Sequence, residues 1–207
     1  MSEETDRRGQ ILEAAFEEFA THGFHGATIK SIARAARLQS QALIYWYFPT
    51  KEALFQAVLE GHAPFLKMVL DPTTLLNHPP EEVLPMVAHA FLTTTERPRW
   101  QRLVRLVVGE MVRRPDVADL VGTKIMGRVL GFLTTYLTHQ IEVGRLRPHD
   151  VRSSARAFIG MLAPQALGII LIPALLEGGP TNEQHITTAV AIFLNGLSTG
   201  EGGAESG

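Results

Sequence analysis

The chain has 207 residues, of which 45% are hydrophobic and 19% charged, and its formal net charge is −2. That suffices for one large domain or a small one joined to a larger one, and it excludes global disorder. The lack of cysteine excludes disulfides and thiolate metal sites, and the polar, acidic start Met1–Gln10 has no apolar signal core, so a cytoplasmic protein is expected.

Apolar residues recur with helical spacing almost throughout, and Pro and Gly fall between the periodic segments, so an all-α fold is expected. Ile11, Leu12, Ala15, Phe16 and Phe19 share one stripe, which predicts a first helix from about Asp6 to His22 with Gly23 as its stop. Thr28 is placed to cap a second helix whose buried face is Ile29, Ile32, Ala33 and Ala36. Lys30, Arg34 and Arg37 fall off that face. Ser40 is placed to cap a third helix, with Ile44 and Phe48 inward and Gln41, Ala42, Tyr45 and Trp46 outward. Pro49-Thr50 breaks the chain before a fourth helix from Lys51 to about Leu70. Longer, more apolar helices are predicted at Glu81–Thr95, Arg99–Arg113, Asp116–Val143, Asp150–Glu177 and Asn182–Leu197, each bounded by Pro or Gly. The expected organisation is a three-helix module over residues 1–50, a larger helical body over 51–199 reached through the fourth helix, and a Gly-rich disordered tail over 200–207.

No Asp or Glu occurs from Ala20 to Lys51 in a chain that is slightly acidic overall. A cationic, aromatic helix pair in such a chain points to nucleic acid. A helix-turn-helix places the start of its second helix in the major groove. Gln41 stands there with a planar amide that suits adenine, and Ala42 suits a thymine methyl. Tyr45, Trp46 and Tyr47 carry hydroxyls or an indole N–H that can donate to phosphates. Three consecutive helical residues cannot all face one core, so at least one of these rings is expected outside. Thr28 and Lys51 stand at helix starts, where free amides favour an anion. A cation in a first turn opposes the helix dipole by about 0.3–1 kcal/mol, which an incoming phosphate would offset at Lys51. Lys30, Arg34 and Arg37 are equally compatible with a solvated helix face.

The run Gly23-Phe24-x-x-Ala-Thr-Ile-x-x-Ile-Ala, followed by Tyr45-x-Tyr-Phe-Pro-x-Lys-Glu-Ala-Leu, resembles the TetR family of bacterial transcriptional regulators over about Ile11 to Leu59. The resemblance implies that Thr28, Gln41, Ala42, Tyr45, Trp46, Tyr47 and Lys51 contact operator DNA. Many members have Gly where Arg37 stands and a connection one residue shorter. Which of Gln39, Ser40 and Gln41 reads a base is therefore open, and all three join Lys30 in the expected contact set. The resemblance also implies a homodimer on a near-palindromic operator and a body that binds a small ligand.

Within the body, Ala157–Leu176 is an apolar run whose only side-chain hydrogen-bonding group is Gln165. Its length would span a bilayer, but Pro164 and Pro173 interrupt it and no aromatic belt flanks it, so a buried or dimer-forming helix is expected and no membrane partner. Gly160, Ala163, Ala166 and Gly168 would permit close helix approach. Trp100, Met111, Met126, Phe132, Tyr136, Met161 and Gln165 are the residues available to line a site for a hydrophobic or aromatic effector. Ordinary core packing is the competing reading for each. His22 and His25 straddle a turn without metal-ligand spacing, and no nucleophile elbow, P-loop or dinucleotide fingerprint occurs, so no cofactor, no metal and no enzyme activity are expected. The rival to a DNA-binding regulator is a helical adaptor that binds protein.

Overall fold

A computed structural model of the chain describes residues 2–63, 65–66 and 74–197. The far end of the predicted fourth helix and the tail 200–207 lie outside the described residues. All regular structure among the described residues is helical, as expected for an all-α chain. These residues fall into two compact units, 2–66 with 94–127 and 74–93 with 128–197.

The first unit begins with α1 (Ser2–Gly26), α2 (Ile29–Ala35), α3 (Ala42–Tyr47) and α4 (Lys51–His62). α1 starts four residues earlier than predicted and kinks at Gly23, the expected stop, where φ is 74° and ψ 177°. Ile11, Ala15, Phe16 and Phe19 of α1 are fully buried with Ile32, Ile44, Leu54 and Val58. The rings of Phe19, Phe24 and Phe55 meet at centroid distances of 5.1–6.0 Å. Two further helices complete the unit, numbered after α5 of the second unit (Pro80–Thr95). They are α6 (Pro98–Met111) and α7 (Pro115–Val121). α6 buries Trp100, Leu103 and Val107, one stripe of a helix, and packs on α1. Arg99 strengthens that contact, stacking over Phe16 at 4.6 Å and pairing with Glu13 and Glu17. Burial raises the Glu13 pKa, but the Arg99 bond and charge, with His62, outweigh it and hold the carboxyl below its ordinary value. The compact unit therefore extends well beyond the 1–50 module.

The single helix predicted over Asp116–Val143 is divided. α7 runs into a π-helical turn, Gly122–Met126, before α8 (Gly127–Glu142). Glycine at both ends of this turn favours a departure from α geometry, and Gly127 would bring a Cβ to 3.4 Å from the Gly122 carbonyl.

The second unit holds α5, α8, α9 (Val151–Ile170) and α10 (Asn182–Leu197). α9 starts on Asp150, whose carboxylate accepts from the Arg152 and Ser153 amides at 3.0 and 3.3 Å. It runs through Pro164, which does not break it, and stops short of the predicted Glu177, where Pro173 disfavours α geometry at Ile172 and opens a short 3₁₀ turn, Pro173–Leu176. Leu176 lies so close to Gly168 that a Cβ there would come within 2.5 Å. Ala157–Leu176 is thus not one helix, and no helix among the described residues is long and apolar enough to cross a membrane. α9 and α10 pack through Phe158 and Phe193, 5.1 Å apart.

Polar side chains of α8 and its exit pin the segment before α5. The Tyr136 hydroxyl donates to the His78 carbonyl at 2.8 Å, Gln140 to Leu76 at 2.6 Å and Arg145 to Asn77 at 3.0 Å. Burial pushes the Tyr136 pKa far up, which keeps the hydroxyl a donor at every working pH. Tyr136→Phe is expected to cost about 1 kcal/mol in thermal or denaturant unfolding, because the carbonyl loses its partner while the ring stays packed.

Candidate nucleic-acid interface

α2 has seven residues and depends on its cap. The Thr28 hydroxyl accepts from the Ser31 amide at 2.9 Å, and the Ser31 hydroxyl accepts from the Thr28 amide at 3.0 Å. This is a capping box with Ser in place of the usual Glu. Ile29, Ile32 and Ala33 face inward, leaving Lys30 and Arg34 exposed.

The α2–α3 turn closes by two backbone bonds, from the Arg37 amide to Arg34 at 3.1 Å and from the Leu38 amide to Ala33 at 2.9 Å. These are the paired bonds of a Schellman motif, whose left-handed position is usually Gly. Arg37 occupies it with φ 51°, alone among the described non-glycine residues in having a positive φ. The side chain where a glycine is commoner therefore costs about 1–2 kcal/mol of backbone strain.

α3 begins one residue later than Ser40 alone implied. Gln41 holds the cap position without a side-chain cap bond, while the Ser40 hydroxyl accepts from the Ala42 amide at 3.1 Å. The amide of Gln41 stays outward, in an exposed row with Gln39, Ser40 and Ala42. Ile44 and Phe48 anchor the helix, whereas Tyr45 is 50% and Trp46 66% exposed. Tyr47 is half-buried, its ring edge-on to Trp46 at 4.6 Å. Two of the three consecutive rings thus lie at the surface.

Lys51 differs in its surroundings from what its position implied. Its ammonium lies 4.8 Å over the Phe24 ring and donates to the His25 carbonyl at 3.4 Å. Burial lowers its pKa, with Glu110 and Glu52 opposing. The unfavourable place of this cation in the first turn of α4 is offset inside the protein, without a phosphate.

Two features were not read from the sequence. Arg7 joins Arg37, Leu38, Gln39, Ser40 and Leu43 around an open concavity of about 400 Å³ beside the start of α3. Arg7 falls within the predicted first helix, but nothing near it in sequence shows that it meets the α2–α3 turn. Glu110 of α6 closes the kink after Gly23, its two oxygens accepting from the Phe24 and His25 amides at 2.6 and 3.2 Å. Beside it, the His25 ring meets Asp116 at 2.8 Å. No group of three or more His, Asp or Glu side chains that could hold a metal ion occurs among the described residues.

The effector-site residues are dispersed. Trp100, Met111 and Met126 lie in the first unit and Phe132, Tyr136, Met161 and Gln165 in the second. Trp100 is buried on α6 and borders a cavity of about 220 Å³ with Phe16 and His62. Met111 is half-buried, and Met126 is 41% exposed on the π-helical turn rather than inside a core. Phe132 and Tyr136 stack within the core at 6.1 Å. Met161 edges a shallow cavity of about 210 Å³ with His185 and Ile192. Gln165 is buried, and its amide donates to Asn182 at 2.6 Å and to the Pro180 carbonyl at 3.4 Å. Its hydrogen-bonding demand is met within the unit. Neither cavity holds more than one of the seven.

Comparison with known proteins agrees with this geometry. Residues 11–58 match the model of the tetR family of bacterial regulatory proteins, and residues 82–196 match the C-terminal domain of AefR-like transcriptional repressors. The chain is 28% identical over 143 residues to the HTH-type transcriptional regulator UidR of Escherichia coli K12, covering 68% of this chain and 69% of that protein. It is 25% identical to the regulator SrpR of Pseudomonas putida over 165 residues, 78% and 74% of the two chains. Among solved structures, SmeT, the repressor of a Stenotrophomonas maltophilia multidrug efflux pump, shares the fold at TM-score 0.64 and 21% identity over 94% of this chain and 91% of its own. A TetR transcription regulator from Haloarcula marismortui does so at 0.61 and 18%, over 94% and 100%. With a capped α2, an exposed α3 and family models covering both its parts, the chain belongs to the tetR family of bacterial DNA-binding transcriptional regulators.

Proposed function

We propose that the protein is a cytoplasmic, ligand-released repressor that binds a near-palindromic operator as a homodimer. One observation carries the reading: the exposed, acid-free face from Thr28 to Trp46, with Lys30, Arg34 and Arg37 on one helix and turn and Gln39–Ala42, Tyr45 and Trp46 on the next. α3 would enter the major groove, with Gln41 or its neighbours Gln39 and Ser40 reading base edges and Ala42 against a thymine methyl. Thr28, Lys30, Tyr45, Trp46 and Tyr47 would hold phosphates. Lys51 contributes by fixing Phe24 and the start of α4, and any phosphate it meets must compete with those partners. Residues 1–50 would serve as the DNA-reading domain and 51–199 as the effector and dimer domain.

The second unit supports self-association. Leu167, Leu171, Ile172, Leu175 and Ile192 are exposed large apolar residues on α9, α10 and the link between them. A second copy would cover them, bringing two α3 helices to half-sites about one turn of DNA apart. A small hydrophobic or aromatic effector would act by binding one dimer state better than the other.

Fluorescence anisotropy with DNA from upstream of the protein's own gene tests the reading. Affinity should fall with salt at a logarithmic slope near −0.9 for each phosphate contacted. A protein-binding adaptor would show no such slope on DNA. Lys30→Ala should weaken binding to every sequence and reduce the slope by about 1, whereas Gln41→Ala should relax one base position at a cost of about 1–3 kcal/mol. Equal profiles for the two variants across a sequence panel would contradict this division of roles.

A further inference from the structure

We infer that the C-terminal end of α6 forms a binding site for a small polyanion, a molecule bearing two or more carboxylate or phosphate groups. Arg105, Leu106, Gly109, Glu110, Arg113 and Arg114 surround an open cavity of about 570 Å³ in the first unit. A volume of several hundred Å³ suits a metabolite rather than a single ion.

Charge selects the ligand class. All three guanidinium groups are exposed, and Arg113 and Arg114 have no acidic partner among the described residues. Arg105 donates to the Gln101 side chain at 3.4 Å. The one acid in the lining, Glu110, is already turned to the Phe24 and His25 amides, and nearby Asp116 faces His25. A helix C-terminus favours a cation by about 0.3–1 kcal/mol, which accounts for one of Arg113 and Arg114 and leaves the other without a counter-charge among the described residues. Planar guanidinium forks bind carboxylate and phosphate in bidentate fashion. Gly109 adds room, since a Cβ there would meet nothing within 4 Å.

Occupancy reaches the DNA-reading face through Glu110. A polyanion held by the arginines repels the carboxylate that fixes the two amides after the Gly23 kink, so it should loosen the start of α2 and weaken operator binding. This second step rests on the regulator reading; the binding step does not.

Isothermal titration of the full-length protein with citrate and with inorganic phosphate, at constant ionic strength, tests the site. Saturable citrate binding is expected, with the dissociation constant raised about tenfold for each guanidinium removed in Arg113→Ala and Arg114→Ala. Arg113→Lys/Arg114→Lys keeps the charge and loses the fork, so it should bind more weakly than the parent. No saturable binding, or equal binding by the parent and the lysine variant, overturns the inference. The alanine double variant should bind operator DNA like the parent when citrate is absent. A loss there means that the arginines hold a DNA phosphate, which overturns the assignment to a small anion. Citrate should weaken operator binding by the parent but not by the alanine variant, and an unchanged parent overturns the coupling. Citrate binding without any DNA binding leaves the site standing and removes only the regulator reading.

Discussion

Gly23→Ala should lower the stability of the first unit by about 2–5 kcal/mol, seen as a fall of about 5–15 °C in the thermal midpoint. Two effects add. The backbone there, φ 74° and ψ 177°, lies in a region open essentially to glycine. The new Cβ would also come within 2.7 Å of the Glu110 carboxylate and of Leu106. Glu110 is a flexible side chain and could swing aside, but only by releasing the Phe24 and His25 amides. The control is Gly144, which has φ 75° and open space around its missing Cβ. Gly144→Ala should cost only about 1 kcal/mol. Equal losses for the two variants would show that the Glu110 contact adds nothing to backbone strain.

Ile44→Ala and Trp46→Ala should separate folding from DNA binding on a helix of six residues. Ile44 is fully buried, and truncating it should cost about 2–5 kcal/mol and lower operator affinity because α3 loses its anchor. Trp46 is two-thirds exposed at 66%, so its truncation should change stability by no more than about 0.5 kcal/mol. Operator affinity should nevertheless fall about tenfold, the value of one hydrogen bond from the indole to a phosphate. Thermal unfolding and anisotropy on the same samples check both. An unfolding loss at Trp46 comparable to that at Ile44 would mean the ring is structural.

Features that depend on local pattern were legible in the sequence. The stripe of α1, the Thr28 cap, the inward pair Ile44 and Phe48 and the start and end of α10 follow from spacing and capping within a few residues. The Arg37 turn was also marked locally, since a side chain stands where a left-handed position usually takes glycine. Features created by distant packing were not legible. Lys51 looked like a cation awaiting an anion because nothing nearby in sequence shows Phe24 stacking beneath it. Placing α6 in the first unit required Arg99 to meet Glu13 and Glu17 across more than eighty positions. The break after Val121 was hidden by an apolar period that continues through the π-helical turn. The three arginines around the α6 cavity are unremarkable in sequence, since only folding shows which acids are already engaged.

The Glu110 bonds also bear on the order in which the chain acquires its structure. Phe24 and its acceptor are separated by 86 positions. During synthesis, at about 5–20 residues per second, the first four helices leave the ribosome before α6 does. For several seconds the nascent module therefore has the Gly23 kink without its Glu110 acceptor. The loop closure that completes it is non-local and correspondingly slow. A chain cut after α4 therefore ends before its own N-terminal kink has been secured, and native-state hydrogen exchange should find the Phe24 and His25 amides better protected in the full-length protein than in that fragment.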